Sequence, residues 1–432
     1  MIKKIKLLFQ YLFILYRRLS TRVDMKSILF VPHINCENDN YDIINYKSDN
    51  VLCLFNSILK DPAFSEYELY VAYFDQNKVE AYQRYCEQYN LVRIHFIYYY
   101  SLQDLYTSFY KCKYIFTDEI YRTYRFKSKK NKVVCLNYYP FPYKSDYVKF
   151  FDEKKNKCLY LQEQYRINKS YDYLVSTSDL SSVAIIQAQP IYYEKCLTLG
   201  FPRSDVFYTD NSSLRRKIVS LFPFEIKKVF VYVPTHRDYE NIKSKVFDKT
   251  STKRTIWGAE SIESIYNLDN FLKEENAIIV AKIHPAQAKS MLDEQKTDHI
   301  ITYHDLASKM TISLNELMAI SDAMITDYTS AVFDYLMRDK PIVYYHFDID
   351  KYDKTRGFFA NPMTPFCAGE TCYNLCELTL ALKRIVRGID DFSIKRKFLL
   401  DLLVTYQDTR STERIKEYFF DSYIARTKYG CR

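Results

Sequence analysis

Glycine is scarce in this chain of 432 residues, which contains 6 glycines beside 43 tyrosines. A scarce glycine tends to lie where the backbone needs a positive φ or where two backbones approach closely, so each one is informative. A phosphate site in this chain must also be built without the glycine-rich loop that many nucleotide-binding proteins use.

The sequence lacks an ordered cysteine framework as well. Its 11 cysteines are scattered, and the nearest approach to a cluster is Cys367, Cys372 and Cys376. No histidine or second cysteine pair completes a zinc-type spacing there. We therefore predict free thiols in a reducing cytoplasm, no metal ion and no cofactor.

No long apolar run is present, although the first 26 residues are unusual. The net charge of the chain is +9, and much of the excess lies in this segment, around an apolar run over residues 7–16. That run is too short to span a bilayer, and no small-residue cleavage site follows it. We predict that residues 1–26 form a basic amphipathic helix on an anionic membrane surface. The alternative is a helix that packs on the body of the protein or on a partner subunit.

The remaining sequence indicates an α/β protein. A chain of 432 residues with 48% hydrophobic content can bury a sizeable core and is too large for one compact domain. Its β-branched or aromatic runs alternate with amphipathic stretches. We predict two Rossmann-like doubly wound domains that face a cleft, at 27–210 and 211–390, with helices over 391–432 that pack back across them. The predicted strands are 27–33, 68–74, 91–99, 113–119, 132–139, 171–178, 227–234, 277–285, 299–304, 323–327 and 341–346.

Polar side chains follow three predicted strands of the second half. In a parallel sheet these strand ends meet at one edge, and there they supply a guanidinium, imidazoles, hydroxyls and the N–H groups of a helix start. Guanidinium groups and helix N-termini both bind phosphate, so the pattern predicts a diphosphate pocket in which two hydroxyls cap the helix and face phosphate oxygens. The residues concerned are His236, Arg237, His284, Asp327, Thr329 and Ser330.

Each of these residues also has an ordinary structural interpretation when it is taken alone. A serine or threonine at a helix start is commonly a plain N-cap, and Asp334 lies in a first turn that favours carboxylates anyway. His284 could be a hydrogen-bonded core residue, and Arg237 could pair with Asp238. The coincidence of three such loops in order is what favours a binding site.

Several motifs resemble the CDP-glycerol glycerophosphotransferase family, the teichoic-acid and capsule polyol-phosphate transferases with a GT-B-like fold. The matching stretches are LGFPRSD, VPTHRD, KIHP, ITDYTSAVFDYLMRDKPIVYY and YDKTRGFF, over roughly residues 130 to 370. The resemblance implies that the first domain binds the acceptor and the second the CDP-polyol. It places in the donor site Arg237, His284, Asp327, Thr329, Ser330 and Asp334, with His236 where the family usually has an aromatic residue, and with Arg356 and Gly357 in a loop beside it.

The chain departs from the family pattern in its first domain. The family carries a His-Gly pair followed by a proline and a lysine, and its histidine is thought to activate the acceptor. Here Tyr139 and Pro140 stand at the pair, whereas Lys144 matches. A tyrosine of ordinary pKa is a poor base at neutral pH. Tyr139 is one candidate for the base in spite of this, and another residue at a strand end, His33 or Asp118, is the second possibility. Alternatively the acceptor differs from that of the family, or the chain is catalytically weak.

The resemblance implies a phosphoryl transfer in which an acceptor hydroxyl attacks the β-phosphorus of CDP-glycerol, or of a related CDP-polyol, and CMP leaves. The implied acceptor is a lipid-linked glycan or a growing polyol-phosphate polymer, at the cytoplasmic face of the plasma membrane, where the protein is peripheral. Two alternatives stay open: a nucleotide-sugar glycosyltransferase of the same architecture, and a non-catalytic relative that binds nucleotide or glycan in a capsule assembly complex. We predict no binding of nucleic acid, because no basic aromatic motif stands out.

Overall fold

The computed structural model describes residues 2–33, 49–118, 128–136, 171–188, 192–235, 256–258, 261–282, 297–355, 358, 360 and 362–420. These residues form two compact units, each built on a parallel sheet. The described residues before 206, together with 408–420, belong to the first unit, and those over 206–407 belong to the second. The predicted α/β class with parallel sheets is confirmed.

Thirteen strands and fourteen α-helices lie in the described parts of the chain. The strands are β1 (Asp24–Val31), β2 (Glu68–Tyr73), β3 (Ile94–Tyr98), β4 (Cys112–Thr117), β5 (Lys132–Cys135), β6 (Tyr173–Ser176), β7 (Cys196–Thr198), β8 (Lys228–Val233), β9 (Ala277–Ala281), β10 (Ile300–Thr302), β11 (Ala323–Thr326), β12 (Ile342–Tyr345) and β13 (Glu370–Cys372). The helices are α1 (Ile2–Ser20), α2 (Asn50–Lys60), α3 (Val79–Gln88), α4 (Leu102–Lys111), α5 (Asp179–Ala188), α6 (Ser212–Val219), α7 (Ile262–Glu274), α8 (Tyr303–Lys309), α9 (Leu314–Ile320), α10 (Ala331–Tyr335), α11 (Ile349–Thr355), α12 (Leu375–Val386), α13 (Ser393–Leu403) and α14 (Ser411–Phe419).

The sheet of the first unit is parallel and runs in the order β3-β2-β1-β4-β5-β6-β7. Neighbouring residues of β1 are buried on opposite faces, as the period of two in a strand requires. Phe30 packs in a core with residues of α2, α3 and α14, whereas Leu29 packs in a second core with residues of α1, α4 and α5. Helices therefore cover both faces of this sheet, which is why an inner strand such as β1 carries an uninterrupted buried apolar run over residues 28–31.

The sheet of the second unit runs in the order β10-β9-β8-β11-β12-β13, and its described strands are also parallel. Its aromatic core contains Trp257, the one tryptophan of the sequence, stacked on Tyr232 with ring centroids 4.6 Å apart. Trp257 is 2% exposed, so its fluorescence can report the unfolding of this unit.

Strands β7 and β13 were not predicted from the sequence, and each is the outermost described strand at one end of its sheet. Each has three residues and no apolar run, so neither shows the sequence pattern of a buried strand. The helix that follows Ser330 is short. The α-helical part, α10, has five residues, and the next turn is a 3₁₀-helix that ends before Asp339, whose φ is +45°.

The LGFPRSD motif holds the last described helix in the first unit. The Asp205 carboxylate accepts hydrogen bonds from the N–H groups of Ser411 and Thr412, at 3.0 and 3.1 Å, and so caps α14. Gly200 has a φ of +81°, and a Cβ added there would lie 2.6 Å from the Ser411 hydroxyl oxygen. The glycine is therefore required twice, by its backbone conformation and by the close approach of α14.

Helix α1 buries one side and exposes another. Ile14 is 4% exposed and packs against the core below α4. Six large apolar side chains on the same helix are exposed, namely Leu8, Phe9, Tyr11, Leu12, Tyr16 and Leu19. In the described part of the chain, no helix combines the length and the apolar character needed to cross a membrane.

Candidate functional site

The described part of the predicted donor site lies at the carboxyl edge of the second unit's sheet. Thr235 follows β8, and Asp327 follows the adjacent strand β11. The parallel order brings these two loops together, as the pattern of polar strand ends predicted. Several predicted site residues lie outside the described residues: His236, Arg237, His284, Arg356 and Gly357 of the donor side, and Tyr139 and Lys144 of the first domain.

Asp327 joins the two loops. Its side chain is completely buried and accepts hydrogen bonds from the Thr235 N–H, at 2.9 and 3.0 Å, and from the Thr235 hydroxyl at 2.6 Å. The N–H of Tyr328 donates to the same carboxylate. A buried carboxylate is tolerated only when such donors satisfy it, so Asp327 fixes the backbone immediately before residues 236 and 237.

The predicted cap at Ser330 is wrong. Ser330 occupies the N-cap position of α10, but its side chain accepts no hydrogen bond from that helix. Its φ of −69° and ψ of −12° lie in the helical region, whereas a capping side chain needs an extended backbone at that position. The Thr329 hydroxyl instead accepts a long hydrogen bond, 3.4 Å, from the N–H of Ala331. Both side chains are partly exposed, while Asp334 in the same helix is buried at 6% exposure.

Aromatic rings pack around Tyr328, the residue that follows Asp327 in this loop. Tyr328 is buried and stacks on Tyr352 of α11, with centroids 4.1 Å apart, and its hydroxyl donates to Asp348 at 3.2 Å. His346, after β12, stacks on the same ring at 5.0 Å. The ring centroid of Phe358 lies 5.4 Å from that of Tyr328. Sequence reasoning missed this stack, although the tyrosine within the Asp-Tyr-Thr-Ser stretch was visible.

A second polar cluster lies at the carboxyl edge of the first unit's sheet. Asp49 caps α2 by accepting a hydrogen bond from the Leu52 N–H at 2.8 Å, and it also accepts one from the His33 N–H at 3.0 Å. Asp118 directly follows β4 and is 6% exposed. Of the two predicted bases of this domain, His33 contacts Asp49 through its backbone N–H, and Asp118 shares a side-chain hydrogen bond with it. Sequence reasoning missed Asp49.

Asp118 shares a hydrogen bond with Asp49. Burial raises the pKa of Asp118 well above its ordinary value, the neighbouring Asp49 carboxylate raises it further, and the Arg203 guanidinium opposes both. This favours the protonated form of Asp118, which donates a proton to Asp49 instead of accepting one. A carboxyl group in that form is a poor general base, which weakens the prediction for Asp118.

Asn50 connects this cluster to the end of β5. Its side-chain N–H donates to the carbonyl of Leu136 at 2.8 Å, and its carbonyl accepts from the N–H of Arg203 at 3.2 Å. Asn50 is fully buried and uses both ends of its amide. It therefore fixes the point from which the chain continues towards Tyr139. The signal for Asp49 and Asn50 was present in the sequence, since both are typical of a helix start.

The described cysteines are free thiols. Cys367 and Cys372 are buried and Cys376 is exposed. Burial raises the pKa of Cys372 to about 12, so this thiol is in its unreactive protonated form at neutral pH.

The chain is similar to known proteins in sequence and in fold. A family model described as CDP-Glycerol:Poly(glycerophosphate) glycerophosphotransferase matches residues 30–421. The teichoic acid glycerol-phosphate primase of Bacillus subtilis is 29% identical over 209 residues, which are 48% of this chain and 48% of that protein. The teichoic acid poly(glycerol phosphate) polymerase of Staphylococcus epidermidis is 32% identical over 208 residues, 46% of this chain and 26% of that protein. The chain thus spans half or less of the length of these curated relatives.

A solved structure of the wall teichoic acid polymerase TagF superimposes with a TM-score of 0.72 at 19% sequence identity. The superposition covers 100% of this chain and 97% of that one. At this identity the likeness shows the fold alone, which is α/β with parallel sheets and GT-B-like.

Proposed function

Because the chain belongs to the CDP-glycerol:poly(glycerophosphate) glycerophosphotransferase family, we propose that it transfers a polyol phosphate from a CDP-activated donor to an acceptor hydroxyl, releasing CMP. Glycerol phosphate is the proposed group, and the acceptor is a lipid-linked glycan or a growing teichoic-acid-like polymer. The observation that carries the proposal is the family match over residues 30–421.

The proposed donor site is the carboxyl edge of the second unit's sheet. Asp327 fixes the loop that continues from Thr235 into His236 and Arg237. In the proposal Arg237 and His284 bind the diphosphate, and Thr329 and Ser330 offer hydroxyls that are not fully used by the helix start. Asp334, Arg356 and Gly357 complete the proposed CDP-polyol site.

The transfer itself needs positioning and positive charge more than covalent chemistry. The acceptor oxygen forms a bond to the β-phosphorus, the bond from that phosphorus to the bridging oxygen breaks, and the electron pair leaves with CMP. His284 is the proposed acid for the departing phosphate. The acceptor proton passes to Tyr139 or His33, and Lys144 neutralises phosphate charge on the acceptor side.

The proposed arrangement of the chain is that of a GT-B-like transferase, with two doubly wound domains facing a cleft. Helix α1 is proposed to hold the protein on the cytoplasmic face of the plasma membrane. Its exposed apolar side chains include Phe9 and Leu19, at 68% and 73% exposure, and Arg18 and Arg22 beside them are exposed. An apolar face flanked by arginines suits the interface of an anionic bilayer.

We expect the double variant Leu12→Ser/Tyr16→Ser to bind phosphatidylglycerol vesicles at least about tenfold more weakly than wild type, since two apolar side chains no longer enter the interface. Vesicle flotation measures this. The matched control is Tyr89→Ser/Val92→Ser, which removes two exposed apolar side chains of the same unit, at 55% and 83% exposure. Equal binding by the two double variants would show that α1 is not the membrane contact.

The transferase is tested by measuring CMP release from CDP-glycerol and from CDP-ribitol, with and without a lipid-linked acceptor. We expect acceptor-dependent CMP from at least one donor, and loss of turnover in Arg237→Ala and His284→Ala. Tyr139→Phe distinguishes the two proposed bases, because it stops turnover only if the phenol takes the acceptor proton. Intact turnover in both Arg237→Ala and His284→Ala would overturn the donor-site assignment.

A second candidate function is favoured by the departure at Tyr139 and Pro140, where the family has its His-Gly pair. In that case the chain binds nucleotide or glycan without catalysis, within a capsule assembly complex. Nucleotide binding without CMP release from either donor would support it. Thermal protection by a nucleotide sugar, but not by CDP-glycerol, would instead favour a glycosyltransferase.

A further inference from the structure

A cavity of about 340 Å³ lies in the second unit, away from the loops described above. Its lining includes Asp322, which immediately precedes β11, and Lys340, which lies just before β12. The cavity is therefore at the amino edge of the sheet, whereas Asp327 and Thr235 lie at the carboxyl edge. Its volume is in the range of small-molecule sites.

One cation of the cavity is already neutralised. Arg215 of α6 donates to the Asp322 carboxylate at 2.8 Å, to the carbonyl of Lys227 at 3.0 Å and to the carbonyl of Ile320. Asp322 also accepts from the N–H of Val229 at 2.8 Å. This pair is held rigidly by the backbone and contributes a fixed, polar wall without net charge.

Two further cations of the lining are not neutralised in this way. The Nε atom of Arg338 is buried and has no hydrogen-bond partner within the described chain. Lys340 is exposed at the rim, and no described carboxylate pairs with it. The opposing charge in the lining is Asp210, which already accepts hydrogen bonds from the N–H and the hydroxyl of Ser212. The Arg338 side chain is partly exposed and lines the cavity, and no ion pair to it lies among the described residues.

We propose that this cavity is a second anion site, which takes the phosphate group of a phosphomonoester or phosphodiester. A guanidinium offers two parallel donors to phosphate oxygens, and the ammonium of Lys340 adds a mobile positive charge at the rim. The phosphate chemistry follows from Arg338 and Lys340 alone. We take the phosphate to belong to a polyol-phosphate chain that is held away from the donor site, and this part of the proposal rests on the proposed function.

Binding is measured on the full chain without any CDP-activated donor, so the result does not depend on turnover. The probes are inorganic phosphate, a short labelled glycerol-phosphate oligomer and phosphatidylglycerol vesicles. The test variant is Arg338→Gln/Lys340→Gln. The matched control is Arg387→Gln/Lys397→Gln, which removes two exposed cations of the same unit that lie outside the cavity. The fluorescence of Trp257 shows whether each variant is folded.

We expect the cavity variant to bind the oligomer about tenfold more weakly than wild type, with inorganic phosphate competing, while the control changes by less than about twofold. If the cavity variant loses binding to vesicles alone, the phosphate site is supported and the phosphate is that of a lipid headgroup. Equal binding by the cavity variant and the control, for all three probes, would overturn the proposal. The single variant Lys340→Gln, which changes an exposed side chain, gives the same comparison if the double variant fails to fold.

Discussion

Replacing Asp327 by alanine is expected to lower the free energy of unfolding of the second unit by about 3 kcal/mol and to reduce CMP release at least a hundredfold. The substitution leaves the N–H and hydroxyl of Thr235 and the N–H of Tyr328 without their acceptor. Turnover falls because the loop that leads into His236 and Arg237 is no longer fixed. Urea unfolding followed by the fluorescence of Trp257 measures the first effect.

The matched control is Thr235→Val, which removes one of these donors and keeps the carboxylate. We expect it to cost about 1 kcal/mol. In a double-mutant cycle, Asp327→Ala should cost less in the Thr235→Val background, since the hydroxyl contact is already absent. Additive losses in the free energy of unfolding would show that the two residues do not act together. An unchanged free energy of unfolding in Asp327→Ala would contradict the assignment of Asp327 as the residue that holds the two loops together.

The parts of the fold that were predictable are those with a long apolar pattern. The strand predicted at 68–74 is Glu68–Tyr73, and the one at 323–327 is Ala323–Thr326. Their order in parallel sheets also led correctly to a meeting of the loops that contain Thr235 and Asp327. An uninterrupted apolar run indicates burial on both faces of a sheet, and in these two strands every residue except Glu68 is buried.

What the sequence did not reveal depends on contacts between distant segments. Ser330 fits the residue preference for a cap, but the backbone enters α10 already in the helical region, and no local pattern shows this. The association of Asp49 with Asp118 joins a helix start to a strand end, and each residue alone has an ordinary local role. Neither the cavity around Arg338 nor the hydrogen bond from Asn50 to Leu136 has a periodic signature.

The second large effect is a dependence of stability on pH, and it arises from the carboxyl groups of Asp49 and Asp118. Because the pKa of Asp118 is raised in the folded chain, the unfolded carboxyl loses its proton first as the pH rises above its ordinary value of 3.8. The folded state then binds more protons than the unfolded state, so stability falls with rising pH up to the folded pKa, by at most about 1.4 kcal/mol per pH unit. Asp118→Asn removes this titration and keeps a donor to Asp49, so it should gain stability over wild type as the pH rises.

Hydrogen exchange of the β4 amides between pH 4 and 8, corrected for the intrinsic exchange rate, measures this difference in the first unit. Asp205, whose pKa burial also raises, contributes a slope of the same sign and will leave a residual dependence in Asp118→Asn. The control is Glu87→Gln, which neutralises an exposed carboxylate on α3 and should leave the wild-type slope unchanged. Parallel curves for wild type and Asp118→Asn would mean that Asp118 is ionised in the folded chain. The Arg203 guanidinium would then outweigh burial and the Asp49 carboxylate together, and Asp118 would again be available as the base that takes the acceptor proton.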